Sequence, residues 1–490
     1  MNCYFGIDAG TTNIKTTAFD ENGNRIAFIS EKTPTEKVVY GNEHFYEFNA
    51  EKIFAVILSE LRKISELTGG YQIRGVAVSS MAESGIPVDR YFRPLSYAIA
   101  WYDTRSDRQA TELSQKLGDY HIYEITGHFS SYKFGITKIM WFKQNHPELY
   151  DRTKYWMTIN EYILFRLSGE RVCDYSIASR NLCFNIREHR WSDEILETAG
   201  VRKDLFCSPV PGGTAIGKIT DEVAELTGLP AGIVVSTGGH DHSCAAIGTN
   251  SIRPGHALCS MGTSEVTMIA LEAPVISEDS FTDQCSFYPH CSGLPYRSLS
   301  SMQACGVSLD WAAAILGYRG PEKYARLADA ASKSKNHWPA FYPFLRGTMF
   351  SPESGGLLLG LRDFHTKQDI AAAVFAGLCS ETKFLSDRIA RASSRLVTCV
   401  HAAGGPSKSD FFMQMKADMM GCDVVLSGES EAACLGAAIL AAAGTGDITL
   451  DDVSRMAADN QKTYHPHENE AVNFYYSNYE KNRSAALLFR

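Results

Sequence analysis

Four hundred and ninety residues, 44% hydrophobic, 11% aromatic and 21% charged, can bury sizeable cores, which excludes a disordered or collagen-like polymer. At roughly 100–200 residues per domain, the length suggests two to four domains. Forty-seven Lys+Arg against 56 Asp+Glu leave a net charge of −9, which argues against nucleic acid or an anionic membrane as partner but allows a local cationic pocket.

In chain order, residues 3–8 read as a short apolar strand, Gly10-Thr11-Thr12 as a tight turn and residues 14–19 as a second strand. Asp20-Glu21-Asn22-Gly23-Asn24 has the Asn-Gly centre of a hairpin and leads into a third strand at 25–30. Residues 50–66 place Ile53, Val56, Ile57, Leu61 and Ile64 at helical spacing, and the β-branched run 73–79 suits a buried strand. Antiparallel hairpins, then a helix, then a buried strand predict a mixed sheet and not the βαβ alternation of a dinucleotide fold. Helical segments follow at 138–144 and 159–167. Near residue 230 the pattern resets. A strand at 232–237 leads into a helix at 240–248, and strands at 257–260 and 265–269 flank Met261-Gly262-Thr263-Ser264. Strand, Gly-Thr turn, strand thus occurs at 8–14 and again at 258–266, which suggests two similar domains, 1–248 and 249–490, facing one cleft. Alanine-rich helices are expected at 369–385 and 434–443, and a Gly404-Gly405-Pro406 turn opens a helix at 411–420.

The longest apolar stretches, 356–361 and 432–443, fall short of the roughly 18–20 residues that span a bilayer. MNCYFGIDAG lacks a basic region followed by an apolar one, so no secretory signal is read. Thirteen cysteines, an odd number with no CxxC pair, read as reduced, mostly core thiols of a cytoplasmic protein; Cys285 and Cys291 are the pair expected to bridge in an oxidising setting.

Phosphate chemistry suggests itself first at Asp8-Ala9-Gly10-Thr11-Thr12-Asn13. An acid at a strand end stands beside a turn whose amides and hydroxyls can donate to phosphate, while the carboxylate can hold Mg²⁺ and Lys15 can add positive charge. A plain capped hairpin would look the same. Residues 212–218 satisfy G-x4-G-K, but Ile219 stands where a Ser or Thr would reach the metal and no strong strand precedes it. That segment reads as a surface loop, with Thr220 as the N-cap of a separate helix. In Gly238-Gly239-His240-Asp241-His242, an acid between a buried strand and a helix can accept a hydroxyl proton. The flanking histidines lack a third ligand nearby and read as packing residues.

These segments resemble the FGGY family of carbohydrate kinases, which share the actin/hexokinase/heat-shock ATPase superfold. The matching pieces run in the family's order: FGIDAGTTNIKTTAFD at 5–20, AWYDTRSDRQA at 100–110, KIMWFKQNHPELY at 138–150, CDYSIASR at 173–180 and GKITDEVAELTGLPAG at 217–232. GGHDHSCAAIG at 238–248, SMGTSEV at 260–266, GGLLLGLRDFHTKQDIAAAVFAGL at 355–378, GGPSKSDFFMQMKADMMGCDVV at 404–425 and ESEAACLGAAILAAAGTG at 429–446 complete the set. The resemblance implies two α/β, actin-like (ribonuclease H-like) domains with mixed sheets and a cleft between them. It implies ATP and Mg²⁺, with Asp8, Gly10, Thr11, Thr12, Asn13 and Lys15 at a first phosphate loop. Gly262, Thr263 and Ser264 would form a second, and Gly404, Gly405 and Ser407 would lie near the adenosine. Asp241 would be the catalytic base, and Asp8 and Asp241 would lie near the metal.

For the sugar, the resemblance points to Met81, Ala82, Glu83, Trp101 and Asp103. Without it, Trp101 reads as core packing and Asp103 with Arg105 as a surface ion pair. Xylulokinases usually show Gln-Met-His where Met81, Ala82 and Glu83 stand, and glycerol kinases Gln-Arg-Glu. Ala82 in place of that arginine favours a larger substrate than glycerol, and the WxDxR spacing is similar to the xylulose and gluconate branches. Ala376 stands where the family signature has an acid or amide. The resulting expectation is a kinase of a ketose such as a pentulose, with gluconate or polyol phosphorylation as the alternative. A non-metabolic ATPase of the same superfold is the remoter one, and a homodimer is the assembly that the family leaves open.

Overall fold

The computed structural model describes residues 1–40, 43–292, 296–457 and 462–490. β1 (Asn2–Ala9), β2 (Asn13–Asp20) and β3 (Arg25–Lys32) form an antiparallel meander. The Gly10 amide donates to the Asn13 carbonyl at 3.1 Å, closing the first turn. In the second, Gly23 takes φ +79°, and Asp20 accepts the Asn22 and Asn24 amides at 2.9 Å. α1 (Ala50–Leu67) is N-capped by Asn49 and buries Ile53, Phe54, Ile57, Leu61 and Ile64 along one face. β4 (Gln72–Ser80) returns parallel to β1.

β5 (Ala215–Lys218) and β6 (Val234–His240) complete a six-stranded sheet in the order β5-β6-β4-β1-β2-β3. β5 corrects the reading of 212–219 as a surface loop, because Ala215–Lys218 pairs antiparallel with β6 as the edge strand. Its side chains are exposed or half-buried, and an edge strand with little to bury carries no apolar signature. Thr220 accepts the Val223 amide as the expected N-cap.

α2 (Asp241–Gly248) follows β6 directly. The second half supplies β7 (His256–Met261), β8 (Glu265–Leu271), β9 (Ser286–Pro289), β10 (Tyr296–Met302), the long α3 (Lys367–Ser393), β11 (Cys399–Gly404), β12 (Asp423–Leu426), α4 (Ala432–Gly444) and β13 (Thr463–Tyr464). Its sheet order is β9-β10-β8-β7-β11-β12-β13. The pairing repeats that of the first half. β1–β2–β3 corresponds to β7–β8–β10, the parallel neighbours β4 and β6 to β11 and β12, and the antiparallel edge β5 to β13. Both Gly-Thr turns therefore close the hairpin of the leading strand of their sheet.

α4 crosses back to the first half, packing on β1, β4, β6 and α2. Its sequence AACLGAAILAAAG permits an unusually close approach: a methyl group on Gly6 would meet the Cys434 carbonyl, and one on Gly436 the Cys244 carbonyl. Asp447, just beyond α4, receives the Tyr4 hydroxyl at 2.8 Å and two Arg74 bonds at 3.1 Å. A further five-stranded sheet carries Gly85–Val88 and Ala98–Ile99, flanking the segments expected to meet the sugar. The helices expected at 138–144 and 159–167 are present as Gly135–Asn145 and Ile159–Ser168. All thirteen cysteines are free thiols, Cys285 and Cys291 included, and only Cys399 is not fully buried.

Candidate active site

Asp8 is the penultimate residue of β1, where its Oδ1 accepts the hydroxyl of Ser79, the penultimate residue of β4, at 3.0 Å. Lys15 lies directly opposite Asp8 in the β1–β2 register, but its ammonium is committed to Glu431 at 2.6 Å. The cation expected to serve phosphate thus also joins β2 to the segment entering α4. The turn between them is braced from β3 and beyond. Thr33 donates its hydroxyl to the Gly10 carbonyl at 2.7 Å and its amide to the Thr12 carbonyl at 3.1 Å. Thr12 is exposed and Thr11 and Asn13 are half-buried, so this turn keeps donors open to a ligand.

Trp101 donates its indole N–H to the Thr11 hydroxyl at 3.0 Å. This contact brings the expected sugar segment onto the expected phosphate turn, a convergence that core packing would not require. Asp103 behaves differently. It accepts the Tyr46 amide at 2.7 Å and the Arg105 backbone and guanidinium at 2.8–3.0 Å. The Asp103–Arg105 pair is buried, which corrects the surface-pair reading; Arg105 also reaches Glu47 at 2.7 Å and lies over the Phe45 ring. With its acceptor positions filled, Asp103 shapes the segment instead of offering a free oxygen. Met81 and Ala82 pack into apolar cores, so Glu83 is the polar member of its trio. Glu83 has φ +41°, a left-handed backbone that a non-glycine residue adopts at a cost, and binds Arg180 through Nε at 2.7 Å and through Nη2.

Asp241 starts α2, with about a third of its side chain (34%) open to solvent. Burial alone would raise its pKa, but His242, the His242 amide at 2.6 Å and Arg180 outweigh this and hold the carboxyl below the ordinary range. His240 is buried, and burial pushes it down to about 3, so it stands neutral 3.3 Å from Asp241 Oδ1. Its backbone is pinned from another part of the chain: the His240 amide donates to Ser176 Oγ at 2.9 Å, and Ser176 donates in turn to Asp174 at 2.6 Å. Asp174 also caps the helix Tyr175–Ser179. Among the described residues, no third donor joins His240 and His242 in a metal-binding group.

Asp8 lies close enough to Asp241 to feel its charge. Burial, reinforced by the Asp241 charge and opposed by Lys15 and the Ser79 bond, pushes Asp8 up to about 7. Two crowded carboxylates of this kind are a donor set suited to a hard divalent cation, whose charge relieves both burial and repulsion.

In the second half, the Gly262 amide closes on the Ser264 carbonyl at 2.8 Å, leaving Gly262 and Thr263 exposed and Ser264 half-buried. Gly306, in the first turn of the helix Cys305–Ile315, donates to the Gly262 carbonyl at 3.0 Å and so holds that turn on a helix start. Gly404 lies beside Met261 in the β7–β11 register and takes φ +101°; a side chain there would meet the Met261 carbonyl. Gly405 is exposed, and Ser407 turns its hydroxyl back to the Gly404 carbonyl at 2.7 Å. The two loops expected at the phosphates and adenosine therefore end adjacent strands.

The residues missed from sequence are mainly Arg180, Ser176, Asp174 and Glu431. Asp174-Tyr175-Ser176 does carry an N-cap signal, whereas the partners of Arg180 and Glu431 are distant in sequence.

Two sheets of matching topology, each ending its leading hairpin in a Gly-Thr turn, together with a helix-start aspartate whose charge reaches an aspartate near the end of β1, define a two-domain phosphotransferase. The "FGGY family of carbohydrate kinases, N-terminal domain" matches residues 3–248, and the family's C-terminal domain matches residues 257–445. The chain belongs to the FGGY family of carbohydrate kinases. It is 29% identical over 454 residues to the xylulose kinase of Bacillus subtilis (strain 168), covering 91% of this chain and 89% of that protein. It is 26% identical over 486 residues to the gluconokinase of Bacillus licheniformis, covering 96% and 93%. The fold matches that of the gluconate kinase from Lactobacillus acidophilus with a TM-score of 0.89 at 23% identity, over 99% and 98% of the two chains. No helix among the described residues is long and apolar enough to cross a membrane.

Proposed function

We propose that this carbohydrate kinase transfers the γ-phosphoryl group of ATP to a hydroxyl of a ketose such as a pentulose, with Asp241 as the base. The observation that carries the proposal is Asp241 itself: ionised, partly open, and fixed at the start of α2 by the Asp174–Ser176–His240 backbone anchor. Its oxygen accepts the proton of the attacking hydroxyl, and the His242 amide, donating to Oδ1 at 2.6 Å, keeps that carboxylate oriented. The amides and hydroxyls of Gly10–Asn13 and Gly262–Ser264 orient the phosphates, while Gly404, Gly405 and Ser407 border the adenosine. Asp8 and Asp241 would hold Mg²⁺, which when bound supplies positive charge against the phosphates. At the sugar, Trp101 offers an aromatic face for C–H groups, and Glu83 offers an acceptor whose position Arg180 fixes.

The similarity to xylulose kinases supports a ketose. A sugar acid is the second reading, favoured by the half-buried Lys133, whose ammonium lies 5.9 Å from the Trp101 ring beside the Glu83–Arg180 pair. ADP release across ketopentoses, ketohexoses, sugar acids, glycerol and tetritols tests both. A ketopentose should give the highest kcat/KM. A preference for sugar acids would move the assignment to the second reading, and no stimulation above the basal ATPase by any member would reject both.

A further inference from the structure

Away from the cleft, β7 and β11 run parallel with His256 opposite Cys399 and Leu258 opposite His401. Positions 399 and 401 are two apart and share one face of β11, and His256 joins them from the neighbouring strand. His256 Nδ1 lies 2.9 Å from His401 Nε2, Cys399 Sγ lies 3.6 Å from the same nitrogen, and all three donor atoms fall within 4.8 Å of one another. We infer that His256, Cys399 and His401 form a site for a thiophilic divalent transition metal of the zinc type, at the strand ends opposite the Gly262 and Gly404 loops.

The donor set decides the metal class. Two imidazoles and a thiol select zinc-like ions over Mg²⁺ or Ca²⁺, which take oxygen ligands. The spacing fits as well. A tetrahedral ion with bonds of about 2.1 Å to nitrogen and about 2.3 Å to sulfur sets N···N near 3.4 Å and N···S near 3.6 Å. The Cys399–His401 separation already meets this, Cys399 and His256 lie within 4.8 Å, and the imidazoles need to part by about half an ångström. His401 turns Nε2 toward both His256 and Cys399, as a ligating histidine would. Burial lowers both imidazoles, His401 to about 4, with Arg253 acting in the same direction, so both are neutral ligands at neutral pH. Burial and Asp423, opposite Cys399 on β12, push the thiol up to about 11, so the ion must displace its proton. Each M²⁺ bound forms one metal–sulfur bond and releases that one proton to solvent, while the proton between the imidazoles moves to the outer nitrogen of His256. Three protein ligands leave a fourth position for water. β7 runs six residues from His256 to Met261, about 16 Å, so this site stands at the other end of the strand from the Gly262 turn. Among the described residues the other cluster of this type, Glu161, Cys173 and Cys207, is fully buried, and Glu161 is already engaged by the Thr158 amide and the Cys207 thiol.

The test uses the full chain stripped of metal by chelator dialysis. Titration with Co²⁺ should produce a thiolate-to-cobalt charge-transfer band in the near ultraviolet, saturating at one equivalent and abolished by one equivalent of Zn²⁺. Cys399→Ser should remove the band, and His256→Ala should weaken Zn²⁺ binding at least tenfold in chelator competition. These half-buried positions are chosen because replacing the buried His401 would put folding itself in question. Asp8→Asn should leave the band intact, since cobalt held by carboxylates gives none. No band in the wild type, or a band and affinity that survive both substitutions, would overturn the site.

Discussion

Replacing Glu60 by glutamine should stabilise the protein in alkaline solution and do little in acid. Glu60 is fully buried where α1 packs on β2; Oε2 accepts the Thr16 hydroxyl at 2.7 Å, while Oε1 has no partner. Burial, reinforced by the Glu31 charge and only partly offset by the Thr16 bond, pushes the carboxyl from 4.5 up to about 7. A raised carboxyl pKa contributes stability that is complete below 4.5 and lost as pH climbs through about 7. At about 1.4 kcal/mol for each tenfold change, the full loss is about 3 kcal/mol. Glutamine keeps the shape and the acceptor for Thr16 but cannot ionise. Urea unfolding of wild type and Glu60→Gln in parallel, followed by far-ultraviolet circular dichroism, should therefore show a small lead for the variant at pH 5. That lead should grow by about 2 kcal/mol by pH 8.5. A lead that stays constant with pH, or a wild type that gains on the variant as pH rises, would refute the reasoning.

Two further expectations concern the cleft. Ser176→Ala leaves the buried His240 amide without its acceptor and removes the tie to Asp174; it should destabilise the protein by about 1–3 kcal/mol. It should also lower kcat with little change in KM for ATP, and an unchanged kcat would mean that the anchor does not position Asp241. Glu83→Gln keeps the size of the side chain but removes the charge that holds Arg180. Sugar kinetics should show KM rising about tenfold at nearly constant KM for ATP, whereas equal effects on both substrates would place Glu83 outside the sugar pocket.

Much of this arrangement was legible in the sequence because local rules govern it. The Gly10 and Gly262 turns, the Asn-Gly hairpin at Gly23 and the helix start at Asp241 are set by neighbouring residues, and the structure has them where they were expected. The edge strand Ala215–Lys218 was missed because nothing apolar marks it. The role of α4 was hidden for a different reason. Its alanines and glycines announce a helix, but only the close approach of Gly6 to the Cys434 carbonyl reveals that it belongs against the first sheet. Long-range pairs were equally invisible. Nothing near Lys15 in sequence points to Glu431, and nothing near Asp103 points to the Tyr46 amide, which with Arg105 fills its acceptor positions.

The central claim is that Asp241 is the base for phosphoryl transfer at a site that binds nucleotide independently of it. Measuring turnover with the preferred sugar alongside ATP binding by calorimetry, in wild type and Asp241→Asn, tests this most directly. The account predicts a fall in kcat of about a hundredfold or more with nucleotide affinity largely kept. Turnover retained in Asp241→Asn would contradict it.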